Sequence, residues 1–159
     1  MTRIPITRTG FEKLKKELET LRTVSLPENI KDIEVARGHG DLSENAEYSA
    51  AKERQSFIHG RIKELENNLA LSDIIDLKDM NVEKVVFGCL VCIEDTSTGK
   101  DIKYQLVGPF ESDINVNKIS VTSPIGKALI GKCVGDLINV QTPGGAREFE
   151  VVDISVGAE

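Results

Sequence analysis

A chain of 159 residues is long enough for one ordinary domain or two small ones. Ile, Leu, Val and Phe supply about three residues in ten, too many for a disordered chain, so a core is expected. The net charge of −6 excludes a general nucleic-acid coat, whose affinity comes from neutralising phosphates, and the absence of Trp disfavours aromatic ligand cages. Three cysteines, an odd number, make no disulfide framework. No stretch approaches the length of a membrane span, and the opening MTRIPITRTG lacks a charged-then-apolar leader, so the expectation is a cytoplasmic protein away from membranes.

Thr9 and Glu12 have the spacing of a capping box, which predicts a helix start there. Phe11, Leu14, Leu18 and Leu21 form one apolar stripe, Pro27 is expected to bend the helix, and Ile30, Ile33 and Ala36 resume the stripe. Gly38-His39-Gly40 ends the segment. A second helix is predicted from around Asp41–Glu44 to about Leu71, with Tyr48, Ala51, Ile58, Ile62, Leu65 and Leu69 at heptad-like positions. Two helices of about 27–30 residues joined by a short turn give an antiparallel hairpin roughly 40–45 Å long.

Beyond residue 78 the grammar changes: 20 of the 30 Val and Ile and 9 of the 13 Gly fall in 79–159, which favours strands and turns. KVVFGCLVCIED (84–95) is a predicted strand, TSTGK a turn and DIKYQLV (101–107) its partner. Ser123 as N-cap and Pro124 at the first helical position predict one short helix. LINVQT (137–142), PGG and REFEVVDISV (147–156) form another strand pair. The fold class is therefore α+β, with a helical hairpin over 1–78 and a mostly antiparallel sheet with one short helix over 79–159, joined near LKDMNVEK (77–84).

No nucleophile motif, phosphate loop or paired-His motif appears. Cys89 and Cys92 form CLVC, but a spacing of three on a strand puts the side chains on opposite faces, and Cys133 does not complete a zinc set. The hairpin tip is more informative. Asp41 and Glu44 fit a capping pair at a helix start, yet two carboxylates at the end of a rod also suit Mg²⁺, which is held by one or two carboxylates plus other oxygens. Arg37 and Lys52 flank them. Arg37 has Glu34 as a candidate ion-pair partner, whereas Lys52 has no acidic residue three or four positions away.

The run ARGHGDLSENAEYSAAKERQ (36–55) resembles the tip signature of the GreA/GreB transcript-cleavage factors. SVTSPIGKALIGKCVGD (120–136), TPGGAREFEV (142–151) and IPITRTGFEKLKKELE (4–19) resemble further motifs of that family, in order along the whole chain. The resemblance implies a coiled-coil hairpin and an FKBP-like C-terminal domain. It implies docking on bacterial RNA polymerase at the rim of its secondary channel; the expected docking residues, read from the exposed start of the short helix, are Ser123, Pro124 and Ile125. It further implies that Asp41 and Glu44 help hold a Mg²⁺ shared with the polymerase, and that Arg37 and Lys52 face the backtracked RNA. No cofactor is expected on the isolated chain, which is expected to be monomeric and an accessory factor rather than an enzyme. Gly38 departs from the bulkier residue expected there and predicts a slightly early end to the first helix. The alternatives are a channel-binding inhibitor, which the presence of both tip acids disfavours, and a prolyl isomerase, which four scattered aromatics in the second half disfavour.

Overall fold

A computed structural model describes residues 2–40, 45–78 and 80–157. It divides into two compact units: Met1–Gly10 with Ser72–Glu159, and Phe11–Leu71.

The helical unit is a hairpin. Strand β1 (Ile4–Thr7) turns directly into helix α1 (Arg8–Thr20). The helix begins one residue before Thr9, so the predicted Thr9 capping box is not the start signal. Thr7 does that job, its hydroxyl oxygen accepting the Gly10 N–H at 3.0 Å. A π-turn (Leu21–Ser25) follows, then α2 (Leu26–Arg37), the turn, and α3 (Ala46–Leu71).

The π-turn explains what becomes of Pro27 and corrects the second half of the stripe. Proline has no N–H to give the preceding turn, and the wider i→i−5 bond from Leu26 N–H to the Leu21 carbonyl accommodates that loss. It also inserts one residue into the 3-4 repeat. Continued from Phe11, Leu14, Leu18 and Leu21 through Ser25, that repeat would bring Glu28, Asp32 and Val35 to the seam. The extra residue brings Asn29, Ile33 and Ala36 there instead, and these are the buried residues of α2. Ile30, expected on the stripe, is 45% exposed. On α3 the buried residues are Ala51, Ile58, Ile62 and Leu65, all on the predicted seam. Arg61 adds an ion pair across the helices, with Glu17 at 2.7 Å.

The other unit is built on five strands in the order β5-β4-β3-β7-β6. These are β3 (Leu90–Asp95), β4 (Asp101–Val107), β5 (Lys118–Ser120), β6 (Leu137–Thr142) and β7 (Gly145–Ser155). All neighbours are antiparallel except β4 and β5. Strand β3 is shorter than expected. Residues 84–89 run irregularly into it, tied by Val85 N–H to the Lys132 carbonyl and Gly88 N–H to the Leu106 carbonyl. Those bonds run to a loop and to the end of β4, outside the ladder, which is why the apolar run does not extend the strand.

Helix α4 (Pro124–Leu129) covers one face of the sheet, with Leu129 buried and Ile125 packed against the core of Val91, Ile93, Tyr104, Leu106, Ile138, Phe149 and Val151. Asp95 is buried at the end of β3 and pairs with Arg147 and Ser97, which pins the β3–β4 turn. The cysteines are free: Cys89 lies in the core just before β3, and Cys92, on β3, is half-buried.

Three strands were not foreseen: β1, β2 and β5. β1 pairs in parallel with β2 (Ser72–Ile75), so the chain enters and leaves the helical unit along neighbouring strands. Glu111 then fixes the end of β1. Its carboxylate accepts the Thr7 N–H at 2.8 Å, the Thr7 hydroxyl, and the Gly108 N–H at 3.0 Å. A Cβ on Gly10 would overlap that carboxylate, and one on Gly108 would overlap the Pro5 carbonyl, so both positions need glycine for close approach.

Candidate functional site at the hairpin tip

Arg37 is the last residue of α2, exposed, in the turn where a cation complements the carbonyl end of the helix. Gly38 caps the helix in a right-handed conformation, its N–H reaching the Glu34 and Val35 carbonyls. The helix ends where Gly38 predicted. His39 N–H reaches the Ala36 carbonyl at 3.1 Å and Gly40 N–H the Arg37 carbonyl at 3.3 Å, so the chain turns away over Gly40, whose φ of +105° suits glycine. His39 Nε2 lies 3.3 Å from a carboxylate oxygen of Glu47, joining the end of the turn to the first turn of α3.

Asp41 and Glu44 lie outside the described residues. The cap of α3 does not. Asn45 Oδ1 accepts the Tyr48 N–H at 3.0 Å, the bond that an N-cap side chain makes to the third helical residue. The helix therefore starts at Ala46 rather than around Asp41–Glu44, and capping, the ordinary use for a carboxylate at a helix start, is performed by Asn45.

Among the described residues Arg37 makes no ion pair with Glu34. Lys52 donates to Gln55 Oε1 at 2.9 Å, an intrahelical hydrogen bond in place of the missing intrahelical ion pair. The two cations are not brought to one level. Asn29 Nδ2 donates to the Ala51 carbonyl at 2.9 Å, so Lys52 stands beside Asn29. Asn29 is eight residues before Arg37, about 12 Å along the hairpin at 1.5 Å per residue. The cations thus mark two heights on the rod.

On the sheet-bearing unit, Ser123 is engaged internally: its hydroxyl donates to the Ser120 carbonyl at 2.6 Å and accepts the Gly126 N–H at 3.1 Å. Pro124 is exposed, while Ile125 is partly buried against the core, so Pro124 is the outermost of the three predicted docking residues. Sequence reasoning missed Asn29 and Asn45. The preference for Asn at N-caps was the available signal for Asn45; for Asn29 there was none, because its burial depends on the π-turn.

No group of three or more His, Cys, Asp or Glu able to hold a metal occurs among the described residues, and no helix there is long and apolar enough to cross a membrane.

Comparison with known proteins gives a consistent answer over both units. Residues 4–74 match the family model described as transcription elongation factor, N-terminal, and residues 80–156 match the model for the GreA/GreB C-terminal domain. The chain is 68% identical over 156 residues to the transcription elongation factor GreA of Syntrophus aciditrophicus, covering 98% of this chain and 97% of that one. It is 52% identical over 155 residues to the GreA of Neisseria meningitidis serogroup A, covering 97% and 98%. Among solved structures, the GreA factor homolog 1 protein of Thermus thermophilus is 34% identical, with 96% of this chain and 98% of that chain covered and a TM-score of 0.44. This chain belongs to the GreA/GreB family of transcription elongation factors.

Proposed function

We propose that the chain acts on bacterial RNA polymerase, with its hairpin entering the secondary channel and its tip stimulating Mg²⁺-dependent cleavage of backtracked nascent RNA. The observation that carries this reading is that Asn45 caps α3, so the start of that helix does not require Asp41 or Glu44 as its cap. Carboxylate oxygens are the donors Mg²⁺ takes, and two of them fill only part of its six positions. Two carboxylates leave most positions of the ion open, so this donor set suits a site completed by another molecule.

When bound at such a shared site, the ion lowers the pKa of water and stabilises a leaving oxygen. The chain's own residues supply the rest. Asp41 and Glu44 add negative charge where the ion is held and orient its water. Arg37 and Lys52, at two heights on the rod, neutralise phosphates of the displaced RNA, and α4 with Pro124 outermost docks against the polymerase. The protein is on this reading an accessory factor, cytoplasmic and monomeric, that raises an activity of the polymerase.

A stalled, backtracked elongation complex with labelled RNA and Mg²⁺ tests the reading. The wild-type chain is expected to release 3′ fragments rapidly, and the Asp41→Ala, Glu44→Ala double variant to bind the polymerase without accelerating release. Stimulation retained in the double variant refutes the role of the acids. Wild type that binds without accelerating cleavage returns the chain to the inhibitor reading.

A further inference from the structure

Among the described residues, little apolar surface is buried between α2 and the facing stretch of α3. At the base the seam buries Leu14, Leu18, Ile58, Ile62 and Leu65, whereas α2 buries only Asn29, Ile33 and Ala36, and α3 only Ala51 in the facing stretch. Small side chains interlock poorly, so packing alone specifies sliding and rotation weakly there.

Two asparagines bridge that stretch in opposite directions. Asn29 on α2 sends its amide to the carbonyl of Ala51 on α3 at 2.9 Å, and Asn45 at the start of α3 sends its amide to the carbonyl of Ala36 on α2 at 2.6 Å. Each bond ties one helix's side chain to the other helix's backbone, and each acceptor is an alanine whose methyl leaves the opposite backbone within reach. Asn29 is 1% exposed, and its Oδ1 has no hydrogen-bond partner among the described residues. Burying an amide oxygen unpaired is unfavourable, so a large apolar residue at this position would give a more stable seam. A buried asparagine on a helix seam is instead a device for fixing register. Register needs fixing here, because the π-turn has just displaced the seam by one residue and the competing phase lies one residue away.

We propose that Asn29 and Asn45 are positioning residues, a reciprocal pair of straps that fixes the phase and height of α2 on α3 and thereby the place of Arg37 and the tip acids. The proposal rests on the function proposed above for those acids. A displacement of about 1 Å can cost about a hundredfold in rate even when it originates far from the chemistry, so loose register is enough to matter.

The test uses the full chain with Asn29→Leu, which fills the seam and removes the unpaired oxygen, and Asn45→Ser, which keeps a cap oxygen for Tyr48 N–H but is too short for the Ala36 carbonyl. Three quantities are measured: thermal midpoint, amide resonances of ¹⁵N-labelled free protein, and cleavage in backtracked complexes at saturating factor across Mg²⁺ concentrations. Asn29→Leu is expected to keep or raise the midpoint and to bind polymerase as wild type does. Resonances of 36–40 and 45–52 are expected to split or broaden, and the maximal cleavage rate to fall about tenfold with a higher half-saturating Mg²⁺ concentration. Asn45→Ser is expected to move the spectra and the Mg²⁺ dependence in the same direction. Wild-type spectra and Mg²⁺ dependence in both variants overturn the proposal. So does a midpoint that falls in step with activity, which would make the role merely structural. If wild type itself does not stimulate cleavage, the functional reading fails and the spectra decide the straps: unchanged spectra overturn them, split spectra support them.

Discussion

Replacing Glu111 with alanine removes one carboxylate from three donors: the Thr7 N–H, the Thr7 hydroxyl and the Gly108 N–H. Thr7 is 3% exposed, so water does not readily replace the lost acceptor. The Thr7 hydroxyl also receives the first-turn Gly10 N–H, so the change loosens the cap of α1 as well. Hydrogen bonds to a charged group are worth about 1.5–3 kcal/mol each. Glu111 is only half-buried, and water entering the vacated space recovers part of the loss, which brings the expected cost to about 2–4 kcal/mol. Urea unfolding of a Tyr48→Phe background follows the sheet-bearing unit through Tyr104, which is buried in its core and has no Trp to mask it. Glu111→Gln, which keeps an acceptor oxygen, should fall between wild type and alanine. A loss below about 0.5 kcal/mol, the scale of an ordinary surface change, would refute the clamp.

The displaced seam predicts opposite fates for two neighbouring isoleucines. Ile33→Ala should cost about 2–4 kcal/mol of hairpin stability, and Ile30→Ala less than about 0.5 kcal/mol; equal losses in chemical denaturation would mean that the π-turn does not set the phase. The Asp95 carboxyl is held at about 2 by hydrogen bonds from the Ser97 side chain and backbone and from Arg147, below the usual carboxylate range. Its contribution is therefore present above about pH 4 and lost as pH falls toward about 2, where the carboxyl protonates in both states. Thermal midpoints of wild type and Asp95→Asn should differ at neutral pH and converge below that window; a constant difference down to pH 2 would contradict the network.

What the sequence made legible was local. The α3 seam of Ala51, Ile58, Ile62 and Leu65, the pair β6 and β7 around the PGG turn, and α4 with its Ser123 cap all follow from periodicity or turn chemistry within a few residues. The parallel pair β1 and β2 joins segments 68 positions apart, each four residues long, too short for alternation to declare itself and too distant for any turn signal. Strand β5, three residues long, escaped for the same reason. Asn29 was passed over because a one-residue phase change cannot be inferred from hydrophobic spacing when Ile30 offers an apolar residue at the neighbouring position. At the tip, the types and spacing of Asp41 and Glu44 were plain in the sequence, while the bond that makes Asn45 the cap of α3 came from the geometry.

The parallel pairing of β1 with β2 also dictates an order of events during synthesis. Once β1 has left the ribosome, its partner strand does not exist until Ile75 is made, several seconds later at about 5–20 residues per second. The helices between them depend on contacts within their own span and can form in that interval, since local contacts assemble fastest. The two-stranded ribbon then pairs after the helices between its strands are made, and Glu111 must be translated before the cap at Thr7 is complete. Strand β1 is thus translated well before it is secured, and for that interval it is an unpaired apolar segment that a chaperone or protease can engage.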